Sequence, residues 1–94
     1  MTVRWSRQGK EQLVAIRAYI REHDAGAAER VRLRIVETIR LLSALPHLGR
    51  AGRKQGTREF VVPHLPYIVV YRTDVTDELV ILGIFHGAQD RRIF

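Results

Sequence analysis

Residues 57–86 read TREFVVPHLPYIVVYRTDVTDELVILGIFH. Three runs in this stretch, 57–62, 67–72 and 78–86, are rich in Val, Ile, Tyr and Phe, the side chains that pack well on a pleated surface. Residues 63–66 (PHLP) and 73–77 (TDVTD) separate them and are short enough to join antiparallel neighbours. The stretch therefore predicts a three-stranded meander. Its last run is apolar on both alternating sets, with Leu79, Ile81 and Phe85 on one and Val80, Leu82 and Ile84 on the other. Two helices can cover only one face of such a strand, so the other is an exposed apolar patch, the seat of a second chain, or covered by the sheet's twist and the tail.

Upstream of the meander the period changes from two to between three and four. Ser6 reads as an N-cap, and Leu13, Ile16 and Ile20, with Tyr19 beside them, mark a helix to about residue 22, weakened in its first turn by Gly9. Asp24 reads as the cap of a second helix over 25–45, stopped by Pro46. Ala28, Val31, Ile35, Ile39 and Leu42 form its core stripe. Leu33, Glu37 and Leu41 make an i, i+4, i+8 line on the opposite side, and this line is a candidate partner surface. Residues 46–56 (PHLGRAGRKQG) predict a mobile basic loop. With a short strand at residues 2–5, the chain reads as one α+β domain spanning 1–94: an N-terminal strand, then a helical hairpin packed on one face of a small antiparallel sheet.

Composition narrows the function. The 94 residues carry 16 Lys plus Arg against 10 Asp plus Glu, a net charge of +6, and no Cys. Without cysteine there is no disulfide framework or thiolate chemistry, so the expected setting is the cytoplasm, and no stretch is long and apolar enough to span a bilayer. Residues 1–50 hold 10 basic and 5 acidic groups, and residues 51–94 hold 6 and 5. Fourteen of the 16 cations are Arg, whose planar fork suits phosphate and carboxylate. A nucleic acid or an acidic protein is the matching counter-surface.

Catalytic motifs are sparse. Ser6 and Ser43, the two serines, fall at helix positions, and His23, His47, His64 and His86 lack metal-ligand spacing. No metal and no cofactor is expected. Gly49, Gly52 and Gly56 surround Arg50, Arg53 and Lys54 but follow a helix and precede a strand, the reverse of a phosphate-cradling loop. The candidates cluster at the strand ends: Arg58 and Glu59, Tyr71 and Arg72, His86, then Gln89, Asp90, Arg91 and Arg92. His86 is the one group among them whose ordinary pKa suits general acid or base work at cellular pH.

Taken together, Trp5 ahead of the first helix, LLSALPHLGR at 41–50, GTREFVV at 56–62, PYIVVYR at 66–72 and HGAQD at 86–90 resemble, in that order and spacing, the RelE/ParE family of bacterial type II toxins. The resemblance covers nearly the whole chain. It implies a growth-inhibiting toxin, often tied to plasmid stabilisation, bound by a cognate antitoxin in a hetero-oligomer, with Leu33, Glu37 and Leu41 as antitoxin-facing residues. RelE-like members are ribosome-dependent mRNA endonucleases, whereas ParE-like members inhibit DNA gyrase without nuclease chemistry. Ribonuclease members carry basic side chains on the first meander strand and an Arg after the Tyr that opens the next; here Glu59, Val61 and Ile68 stand at those places. The resemblance thus favours a non-enzymatic gyrase inhibitor. Arg58, Glu59, Gln89, Asp90, Arg91 and Arg92 are then the expected target contacts, and His86 with Arg72 would be catalytic only in a ribonuclease acting on ribosome-bound mRNA.

Overall fold

The computed structural model describes residues 1–91, and Arg92 lies outside the described residues. The elements follow in the order β1 (Thr2–Trp5), α1 (Arg7–Arg21), α2 (Ala25–Ala44), β2 (Arg50–Ala51), β3 (Arg58–Val61), β4 (Tyr67–Thr73) and β5 (Glu78–His86). They form one five-stranded sheet in the order β1-β5-β4-β3-β2. The meander is antiparallel, while β1 pairs with β5 in parallel, so the sheet is mixed and not wholly antiparallel. The parallel pair joins the first and last strands of the chain, and the helical hairpin and the meander between them supply the long connection that a parallel pair needs.

Both helices start at side-chain caps. The Ser6 hydroxyl accepts from the Gly9 N–H at 3.0 Å, and the Asp24 carboxylate accepts from the Ala27 N–H at 3.0 Å. Gly9 has a second role. A Cβ there would come within 3.0 Å of the Ile81 carbonyl oxygen, so glycine lets α1 lie directly against β5. β1 is short and leaves the upper edge of β5 without a strand. Gln12 fills the gap, its side-chain oxygen accepting the Ile84 N–H at 2.9 Å.

The core lies between the helices and one face of the sheet. Ile35, Ile39 and Leu42 of α2 meet Val69, Tyr71, Leu79, Ile81 and Ile84, with Val3, Trp5, Leu13 and Ile16 packed around them. A β-bulge changes the alternation that simple counting gives for β5. Val70 pairs with Gly83 but Tyr71 pairs with Ile81, which leaves Leu82 as the extra residue. Past that point the faces exchange. Leu79, Ile81 and Ile84 therefore share the helix-covered face, and Phe85 joins Ile68 and Val70 in a separate buried cluster on the other.

The loop at 46–56 is tied down. The Tyr71 hydroxyl donates to the Pro46 carbonyl at 2.7 Å and accepts from the Gly49 N–H at 2.9 Å. Arg58 donates to the Gly49 carbonyl at 2.8 Å. Residues 50–51 then pair with β3, and the Gly52 N–H donates to the Thr57 carbonyl at 2.8 Å. Apolar periodicity carries no trace of these bonds, because they are made by backbone and polar groups.

Candidate functional site

The helix-free face of the sheet can be assembled from the strand registers. One row places Arg4, Val80 and Arg72 abreast; the next places Gly83, Val70, Glu59 and Arg50; the third places Phe85, Ile68 and Val61. Cations border one end and apolar side chains the other. Arg4 is paired with Glu78 at 2.9 Å and Arg72 with Asp74 at 3.8 Å, both partly exposed.

Between those ends sits a buried ion pair. Glu59 and Arg91 are 4% and 2% exposed, and the Arg91 Nε donates to the Glu59 Oε1 at 2.8 Å. The second carboxylate oxygen accepts the Arg53 N–H at 3.0 Å, and Arg91 also reaches the Gly87 carbonyl at 3.2 Å. Burial by itself would raise the Glu59 pKa, but the Arg53 N–H, the Arg91 hydrogen bond and the charges of Arg91 and Arg50 outweigh it. They hold the carboxyl below the ordinary glutamate range. The pair draws the tail back over the sheet, so the tail contributes to covering this face. Glu59 and Arg91, both expected as target contacts, are thus buried against each other in the free chain. Two buried, mutually saturated groups offer no surface, and they act by positioning the β2–β3 loop and the tail.

The other expected target residues lie apart from one another. Arg58 is half-buried at the start of β3, with its guanidinium on the Gly49 carbonyl and 3.3 Å from the His47 Nδ1. Gln89 and Asp90 are exposed at the opposite end of the sheet, where the Gln89 side-chain oxygen accepts the His86 N–H at 2.6 Å.

His86 and Arg72 do not form one site. His86 pairs with Tyr67 and Arg72 with Val80, five residues apart along β4, or about 17 Å at strand rise. They also lie on opposite faces. His86 lines a groove on the helix side with Ala15, Ile16, Tyr19, Tyr67 and Gln89, and its ring stands edge-on to Tyr67 at 6.0 Å. The bulge at Leu82 puts it there, and Gly83 within an apolar run was the sequence signal for that bulge. Arg72 is also four residues, about 13 Å, from Ile68 on the same face. It cannot stand in for a cation at that place.

On α2, Leu33 and Leu41 are 45% and 43% exposed and Glu37 is exposed between them, so the expected line faces outward. Leu45 and Leu48 extend it as further exposed apolar side chains. Among the described residues no group of His, Asp and Glu could hold a metal ion, and no helix is long and apolar enough to cross a membrane.

Residues 3–91 match the family described as the ParE toxin of the type II toxin-antitoxin system, parDE. A protein of Sinorhizobium fredii named "Putative toxin Y4kP" is 38% identical over 87 residues, which are 93% of this chain and 88% of the relative. A chain of the chromosomal ParDE toxin-antitoxin system from P. aeruginosa superposes with a TM-score of 0.80 at 26% identity, covering 92% of this chain and 95% of its own. The toxin-antitoxin complex RelBE2 from Mycobacterium tuberculosis contains a chain with a TM-score of 0.66 at 24% identity, covering 90% and 95%. This last likeness is one of fold.

Proposed function

The chain belongs to the ParE toxin family of type II toxin-antitoxin systems, and from that premise we propose that it is a cytoplasmic toxin that inhibits DNA gyrase by binding, without nuclease chemistry of its own. The observation that carries this reading is Ile68. It stands where the resemblance expects a ribonuclease to hold phosphate with Arg, and it is buried with Val70 and Phe85. Beside it, the carboxylate of Glu59 is already neutralised by Arg91. Phosphoryl transfer depends on cations placed at the developing charge, and the cations nearest this part of the sheet among the described residues, Arg91 and Arg50, both lie against the Glu59 carboxylate. The separation of His86 from Arg72 supports the same reading. Arg58, Gln89, Asp90 and, outside the described residues, Arg92 are the proposed gyrase contacts.

A cognate antitoxin is the proposed neutralising partner. The exposed Leu33, Glu37 and Leu41 line supplies apolar contact, and the net charge of +6 favours an acidic partner by steering its approach. Inducible expression in bacteria tests the function. Filamentous cells with damaged DNA are expected, rescued by co-expression of the neighbouring antitoxin gene. Arrested translation with cleaved mRNA would instead support a ribosome-dependent ribonuclease.

A further inference from the structure

Between Glu37 and Asp74 the chain carries a single acidic residue, Glu59, against Arg40, Arg50, Arg53, Lys54, Arg58 and Arg72. That one acid is buried and ion-paired at 2.8 Å with Arg91, a residue from outside the segment. Arg50 also lies 3.7 Å from Glu59, yet its side chain remains 67% exposed. The β2–β3 hairpin and its turn therefore gather four cations, Arg50, Arg53, Lys54 and Arg58, within nine residues, around one local carboxylate that Arg91 shares.

The hairpin is built to hold these cations in place. The Gly52 N–H donates to the Thr57 carbonyl at 2.8 Å, the Thr57 N–H to the Lys54 carbonyl at 3.2 Å, and the Arg53 N–H to Glu59 at 3.0 Å. Gly56 takes the left-handed turn at φ 82°. Beside the turn runs a groove lined by Ala51, Gly56, Thr57, Arg58 and Thr73.

What is missing from the patch decides the ligand. In residues 50–58 (RAGRKQGTR) the largest apolar side chain is Ala51. A protein partner would need apolar or aromatic anchors at the centre of its interface, and α2 has those where residues 50–58 do not. Single-stranded nucleic acid is held by stacking bases on aromatic rings; residues 50–58 carry no aromatic side chain, Phe60 of β3 packs against the helix-side core, and Tyr71 is fully buried. Phosphate contact needs only cations, hydroxyls and N–H groups. We propose that the β2–β3 hairpin is a sequence-independent clamp for the phosphate backbone of duplex DNA, formed by Arg50, Arg53, Lys54 and Arg58. The proposal rests on the gyrase reading for its setting, because a gyrase inhibitor meets its target with duplex DNA already bound.

Four phosphate contacts predict a slope of log K against log salt of about −3 to −4, or roughly a 50-fold loss of affinity between 50 and 150 mM salt. The test is fluorescence anisotropy of the purified chain with a labelled 20-base-pair DNA duplex, alongside a duplex RNA and a single-stranded DNA of the same length. Arg50→Ala with Arg53→Ala should weaken duplex binding and flatten the slope by about 2. Lys10→Ala with Arg21→Ala, exposed cations on α1, removes the same net charge and should leave the slope unchanged. Equal losses in the two double variants would overturn the clamp in favour of diffuse charge, as would preference for single strands or for duplex RNA. No duplex binding while the unaltered chain still inhibits gyrase would overturn the clamp and leave the gyrase reading standing. Clamp-dependent duplex binding without gyrase inhibition would do the reverse.

Discussion

The two faces of the sheet are buried by different physics. On the helix side, side chains from two helices and four strands interlock, and every large contributor is apolar. On the other side four buried apolar residues, Ile68, Val70, Val80 and Phe85, share the surface with an ion pair joining residues 32 positions apart. An apolar face tolerates exchange of one hydrocarbon for another of similar volume. A face organised by one saturated pair depends on both partners, because either alone is a buried charge.

This difference gives the largest expected effect. Glu59→Ala should cost about 3–5 kcal/mol by stranding Arg91, comparable to the ~2–5 kcal/mol expected for Leu42→Ala on the helix side. The two should respond differently to a second change. Adding Arg91→Met to Glu59→Leu should recover most of the loss, whereas Leu42→Ala is repaired only by restoring volume. Urea denaturation of the four proteins measures this. If the double variant stays as unstable as Glu59→Ala, the pair does more than neutralise itself, and the contrast between the faces breaks.

A smaller effect is expected at the junction of the two regions. Burial pushes the Tyr71 phenol up, so it stays protonated and donates to the Pro46 carbonyl while accepting from Gly49. Tyr71→Phe keeps the ring in the core but leaves those loop groups without their partner, at about 1–3 kcal/mol. Hydrogen exchange at the Gly49 amide should rise by more than the global loss of stability accounts for. Unchanged exchange would show that the loop is held by other contacts.

The pH dependence sharpens the contrast further. The Glu59 pKa is lowered on folding, so its contribution is complete above the ordinary glutamate value of about 4.3 and is lost as the pH falls through the lower folded value. The stability advantage of the unaltered chain over Glu59→Gln should therefore shrink below about pH 4.3. An advantage constant from pH 3 to 7 would mean that the carboxylate charge is not what matters.

The smallest stability effect is expected on the outer face of α2. Leu33→Asp with Leu41→Asp should shift the thermal midpoint little, since both side chains are already exposed. It should nevertheless weaken binding of the antitoxin measured by calorimetry. A large fall in midpoint would place these leucines in the core.

How far the sequence could be read follows the same division. The stripe Ala28, Ile35, Ile39 and Leu42, the caps at Ser6 and Asp24 and the three meander strands all express local period or local hydrogen bonding, and all lie where expected. Glu59 with Arg91, Arg4 with Glu78 and Tyr71 with Pro46 and Gly49 are long-range polar contacts between residues that look exposed in isolation. No period betrays them. The bulge belongs between the two cases: Gly83 within an apolar run is a local hint of it that plain alternation passes over, and its consequence, moving His86 to the helix side, depends on pairing with β4. Glu59 was conspicuous as the one acid in a long basic segment, and that isolation was the available hint of burial.

Binding of gyrase without cleavage of RNA is tested by one paired assay. Purified toxin is titrated into gyrase with ATP and relaxed plasmid, and separately into ribosomes translating a defined mRNA, each with the unaltered chain and with His86→Ala. Supercoiling should be inhibited equally by both proteins, and the mRNA should stay intact. Unimpaired supercoiling at saturating toxin, with A-site cuts that vanish in His86→Ala, would contradict it.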